Sequence, residues 1–230
     1  MWIIAYSAVQ NEYVLPSFWD AARECGRLFT EAAFWRAFAN TLLRTFWAFL
    51  LSLVFGAGLA LLAGLHPFVR SFLAPIVSLL RTVPTMAIIL MLLLWTNHRV
   101  APVIVSLLVL MPAFYAATLA AIDEVRETYG GFARAYGVSA GKRVFQMYLP
   151  LVAPSVLGQA GSIFSMGLKI TISGEVLANT FKSIGGLMQE AKMFLNMPTL
   201  MALTLLSVLV GFLLEGLGLL CYRLVVRWRR

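Results

Sequence analysis

Five stretches of this chain, at about 38–63, 71–94, 101–121, 151–178 and 199–222, are apolar for long enough to cross a bilayer. A helix needs roughly 20 apolar residues to traverse the hydrocarbon, and a spanning segment must satisfy its own backbone hydrogen bonds. Of 230 residues, 61% are hydrophobic and 12% charged, which leaves too little polar surface to coat a soluble globule. The expected fold is therefore an all-α membrane protein with five core spans. Trp2 to Val9 is also apolar but meets Gln10, Asn11 and Glu12 too soon for a crossing, and no basic segment precedes it as in a signal peptide. It reads as a short first helix. Ser17 to Phe38 mixes Asp20, Arg23, Glu24, Arg27, Glu31 and Arg36 with Trp19, Leu28, Phe29 and Phe34, the pattern of an amphipathic interfacial helix. Residues 1–37 thus form a peripheral region and 38–230 the membrane domain.

The 18 Lys and Arg against 10 Asp and Glu fall in short clusters between the apolar runs. That distribution argues for topology, not for nucleic acid. With the C-terminus cytoplasmic, segments 64–70, 122–150 and 223–230 hold nine cations: Arg70, Arg126, Arg134, Lys142, Arg143, Arg223, Arg227, Arg229 and Arg230. The opposite side, 1–37, 95–100 and 179–198, is longer and holds six: Arg23, Arg27, Arg36, Arg99, Lys182 and Lys192. The positive-inside bias sets that orientation. Trp228 among Arg227, Arg229 and Arg230 reads as an interfacial anchor. Cys25 and Cys221 are too few for a disulfide framework or a thiolate metal site. His66 and His98 fall in loops on opposite sides, so no metal site and no bound cofactor are expected.

Glycines and prolines crowd the span interiors: Gly56, Gly58 and Gly64, Pro75 and Pro84, Pro102 and Pro112, then Pro154, Gly158, Gly161, Gly167 and Gly174. Small residues let helix backbones approach, and breakers bend helices around a pathway. Ionisable groups in spans cost roughly 2.5–3.5 kcal/mol at mid-depth on insertion scales, so Arg44, Arg81, Lys169, Glu175 and Glu215 are functional candidates. Lys169 and Glu175, six residues apart, do not share a face. Arg44 or Arg81 can bridge to Glu175; alternatively Arg81 and Lys169 present positive charge to a solute. Ser165, Thr171, Ser173 and Asn179 can offer neutral hydrogen bonds, although such hydroxyls often bond their own helix.

The long polar excursion among the spans is 122–150. A helix over about 124–136 is expected to stop at Gly137, with Ser139 capping a second helix that runs to Pro150. A helix, a glycine turn and a helix make a rigid elbow suited to docking in a partner's groove. Here the chain resembles the importer permeases of the ATP-binding-cassette class. Their cytoplasmic EAA motif reads Glu-Ala-Ala, three residues, Gly, nine residues, Ile, any residue, Leu-Pro. In this chain the same spacing gives Gly131-Phe132-Ala133, Gly137, then Met147-Tyr148-Leu149-Pro150. Gly131, Phe132 and Met147 depart from the motif; the turn glycine and Leu149-Pro150 match it.

The likeness continues in Asn40-Thr41-Leu42-Leu43-Arg44, in Leu80 to Pro84, in Glu175 to Ala178, in Ile184 to Met188 and in Gly211 to Glu215. These segments are similar to the nitrate/sulfonate/taurine branch. The resemblance implies a MetI-like type I permease in a prokaryotic cytoplasmic membrane. It implies a homodimer or heterodimer of permeases on two cytoplasmic ATPase subunits, which hold the ATP and Mg, fed by an extracellular or periplasmic solute-binding protein. Gly131, Ala133, Arg134, Ala135, Gly137, Val138, Ser139, Leu149 and Pro150 are the implied ATPase-coupling residues. Arg44, Arg81, Lys169, Ser173 and Glu175 are the pathway candidates. The implied solutes are nitrate, bicarbonate, sulfonates, taurine or vitamin precursors, and the two basic groups favour an anion.

The chain contains no Gly-x-x-x-x-Gly-Lys-Ser/Thr phosphate loop, so ATP hydrolysis by that route must come from a partner. A membrane-embedded enzyme needs convergent His, Asp or Glu in the spans, which the sequence does not offer. A secondary transporter or channel not coupled to ATP is the alternative. It calls for inverted repeats, which are not evident here.

Overall fold

The structure, a computed structural model, describes residues 16–137 and 139–227, so the short Trp2–Val9 helix and the Trp228 to Arg230 anchor lie outside the described residues. The described elements are helical throughout: α1 (Phe18–Thr30), α2 (Ala32–Leu65), α3 (Pro67–Thr82), α4 (Thr85–Trp95), α5 (Ala101–Ala135), the single turn α6 (Ala140–Lys142), a π-helix (Arg143–Tyr148), α7 (Leu149–Leu177), α8 (Ile184–Met193) and α9 (Met197–Arg227). Four helices, in α2, α5, α7 with its π-helical lead-in and α9, are apolar and long enough to span.

The expected second span, 71–94, is broken near its middle in the structure. Its two halves, α3 and α4, meet at 95°. Pro84 has no N–H to continue α3, and a residue before proline avoids the helical region, so Val83 turns extended at ψ 129°. The Val83 N–H closes α3 on Leu79, and the Pro84 carbonyl opens α4 by accepting from Ala87 and Ile88. Pro75, also in that segment, stays inside α3. Five spans result only if this broken pair counts as one.

The expected amphipathic helix over 17–38 is likewise divided. Ser17 caps α1 by accepting from the Asp20 N–H, and the chain turns extended at Glu31 before α2 begins. α2 packs chiefly on α5, α5 on α7, and α7 on α9. Glycines set the crossings: a Cβ on Gly56 would lie 2.6 Å from the Met111 carbonyl oxygen, and Gly161 backs directly onto Gly218. One core cluster, with Leu28, Phe34, Leu168, Ile172, Ile184, Leu203 and Leu206, joins α1, α2, α7, α8 and α9. Another, with Leu110, Phe114, Ile122, Tyr148, Val152 and Val156, joins α5 to the π-helix and α7. Trp47, Phe55, Phe72 and Leu94 are exposed on the outside of the bundle, as lipid-facing side chains are.

Candidate functional site

Three groups of residues stand out along α7, from one end to the other. At the end that leads to α8, the carboxylate of Glu175 is fully buried. Its Oε1 accepts from the Arg44 guanidinium at 2.7 Å, and its Oε2 accepts from the Thr41 hydroxyl at 2.8 Å and the Gly185 N–H at 3.2 Å. Thr41 in turn accepts from the Ile184 N–H at 3.0 Å, so the first turn of α8 is held by both the carboxylate and the hydroxyl. A negative group at a helix N-terminus also answers the helix dipole. Arg44 is thus the bridge to Glu175, and these two pathway candidates are spent on each other. α8 lies within 179–198, which the sequence places between spans without assigning it a helix. Its signal was Ser183, whose hydroxyl caps it by accepting from the Gly186 N–H at 2.9 Å.

Along its middle, α7 carries an uncovered polar face. Lys169 and Ser173 are exposed there, as are Ser155, Gln159 and Ser162. The Ser173 hydroxyl bonds the Lys169 carbonyl at 2.9 Å, the own-helix bond expected for such residues. Ser162 donates to Glu215 of α9 at 2.8 Å, which brings in a carboxylate that sequence reasoning left outside the pathway set. Among the described residues the Lys169 ammonium has no hydrogen-bond or ion-pair partner. Arg81 is exposed near the α3–α4 break, in a groove it lines with Ser78 of α3 and Tyr115 and Leu119 of α5. Of the neutral candidates, Ser165 and Thr171 are buried, and Thr171 is spent on Ser106 at 2.8 Å.

The elbow lies at the opposite end of α7. The structure changes its expected form: the helix over 124–136 is the tail of α5, and the second helix runs through Pro150 into α7 without stopping. Gly137 makes the turn at φ +61°, a left-handed conformation that favours glycine. Gly131, Ala135, Ser139 and Leu149 are exposed and Pro150 is half-buried, whereas Ala133 is buried at the floor of a groove lined by Phe132, Tyr136 and Lys142. Val138 lies outside the described residues, and only the backbone of Arg134 is described. Phe132 and Tyr136 just before the turn and Phe145 on the π-helix after it are exposed, aromatic surface that the motif comparison alone does not single out.

Two ties sit at the rim of the bundle. Arg70 grips Asp123 through two bonds of 2.8 and 2.9 Å, fastening the start of α3 to α5. On α1, Glu24 accepts from Arg27 and from the Thr199 hydroxyl, and the Cys25 thiol faces the Ala202 carbonyl oxygen, so α1 is clamped to α9. The Arg27 hydrogen bond holds the Glu24 carboxyl below the usual carboxylate range, against the opposing effect of burial.

Residues 52–230 match the family of binding-protein-dependent transport system inner membrane components. The chain is 27% identical over 192 residues to the taurine transport system permease protein TauC of Escherichia coli, covering 83% of this chain and 69% of that one. It is 29% identical over 157 residues to the putative aliphatic sulfonates transport permease SsuC of the same organism, covering 66% and 58%. It is 24% identical over 140 residues to the glycine betaine transport system permease OpuAB of Bacillus subtilis, covering 60% and 50%. The matched part is thus about half to two-thirds of each relative. With its helical bundle, its elbow and this family match, the chain belongs to the binding-protein-dependent inner membrane permeases of ATP-binding-cassette importers, in their nitrate/sulfonate/taurine branch.

Proposed function

We propose that this chain forms the membrane pathway for a small solute handed over by an extracellular binding protein, energised by a partner ATPase. The observation that carries the reading is the elbow. Two spanning helices, α5 and α7, meet there through one glycine turn, with Phe132 and Tyr136 uncovered just before it and Phe145 uncovered on the π-helix that follows. Exposed aromatic groups of this kind supply docking energy when a partner buries them. Movement of a docked partner then passes directly into α5 and α7, and rigid-body tilting alternates access. In this reading the elbow and C-terminus are cytoplasmic, two permease copies face one another, and ATP and Mg belong to the partner. The solute is of the kind carried by the named relatives: taurine, a sulfonate or glycine betaine.

Co-purification tests the proposal. The detergent-solubilised protein is expected to bring an ATPase with it, and Gly141→Trp, at a position open to solvent, is expected to release that ATPase while the permease stays folded. Solute uptake that persists without any ATPase overturns the reading.

A further inference from the structure

Ser155, Gln159, Ser162, Met166, Lys169 and Ser173 lie at intervals of three and four residues, within an arc of about 80° on α7, and all six are exposed. Five of the six are polar, on a helix long and apolar enough to span a membrane. A polar face with an unpaired ammonium does not stand against lipid tails, because a charged lysine deep in a span is costly. Lys169 is eight residues, about 12 Å, from the end of α7 at Leu177, so it sits well inside the span. The face therefore borders water. Its charges are ordered: Lys169 lies toward the α8 end, and Glu215, held by Ser162 seven residues and about 10 Å away, lies toward the elbow. A plain anion drawn to Lys169 is then opposed by Glu215, and a plain cation is opposed first by Lys169. Only a solute that carries both charges meets a favourable partner at each level.

We propose that this face of α7 is the solute track, and that the sequence Lys169 then Glu215 selects small zwitterions. The proposal rests on the permease reading above, and it replaces the simple anion preference suggested by the basic residues alone.

Charged thiol reagents test it in the full chain, reconstituted with its partner subunits, after Cys25→Ser and Cys221→Ser. Ser173→Cys is expected to react about tenfold faster with a sulfonate-bearing methanethiosulfonate than with a trimethylammonium-bearing one, relative to a free thiol in solution, and Lys169→Met is expected to bring the ratio to about one. Gln159→Cys is expected to show the reverse preference, levelled by Glu215→Gln. Met166→Cys and Ser155→Cys serve as second positions if either variant fails to fold. Taurine, as a zwitterionic probe, is expected to slow labelling of Ser173→Cys more than equal concentrations of nitrate or choline. Labelling by neither reagent, the same charge preference at both ends, or protection by nitrate equal to that by taurine overturns the proposal. ATPase co-purification, measured on the same membranes, reports separately on the permease reading: its loss with the reversed labelling intact refutes that reading alone.

Discussion

At one end of α7 a methyl group added to Gly185 would lie 2.4 Å from the Glu175 Cβ, and one added to Gly186 would lie 2.1 Å from the Thr180 carbonyl oxygen; at the other end, Gly131, Gly137 and Gly141 have nothing within 4 Å. The first pair is explained within the subunit. These glycines let α8 press its first turn onto the Glu175 carboxylate, and the buried ion pair is satisfied on every side visible in the structure. The second group has no such internal reason, apart from the left-handed turn at Gly137. Open glycines beside exposed aromatics make sense when the neighbour that fills the space belongs to another polypeptide. One end of the helix is closed within the subunit, and the other stands open.

The sharpest way to break this contrast is to remove Arg44. Arg44→Met leaves the Glu175 carboxylate buried without its counter-charge and is expected to cost about 3–5 kcal/mol in thermal or chemical unfolding, with most of it recovered in the Arg44→Met/Glu175→Gln pair. An unchanged unfolding midpoint in the single variant would show that the ion pair does not hold this end together. Next in size is Gly185→Ala, which overfills a closed site and is expected to lose about 1–3 kcal/mol. Gly141→Ala, in open helix, is expected to gain about 0.5–1 kcal/mol from helix propensity, so the two substitutions should move the melting temperature of the isolated subunit in opposite directions. A loss of equal size at both positions would erase the distinction.

The smallest expected effect lies on α1. Because the Glu24 carboxyl is held below its ordinary range, the stability it adds is present above that range and is lost as the pH falls through the lowered value. The difference in melting temperature between the native protein and Glu24→Gln should therefore shrink as the medium is acidified from neutrality. A difference that does not change with pH would place the clamp elsewhere.

Much of this architecture was legible in the sequence because a bilayer punishes error heavily. Runs of twenty apolar residues locate α2, α5, α7 and α9, and the spacing from Gly137 to Leu149-Pro150 locates the elbow. The angle at Val83-Pro84 was not legible: proline marks a break, but the 95° turn depends on what α3 and α4 pack against. α8 was hidden because its ten residues are too few for a clear period, and its stability comes from Ser183, Thr41 and Glu175 instead of from its own sequence. Among the charged candidates, sequence distance could not choose between Arg44 and Arg81 as the partner of Glu175. The roles of Lys169 and Glu215 depend on which faces neighbouring helices leave open, a property that no single helix encodes.

α5 has a further mechanical meaning. Its 35 residues make a rod about 52 Å long, and Pro112, where one backbone hydrogen bond is missing, divides it into arms of about 16 and 35 Å. A bend taken up at that proline would uncouple the two arms, so travel at the Gly137 end could be absorbed there before it reaches the Ala101 end.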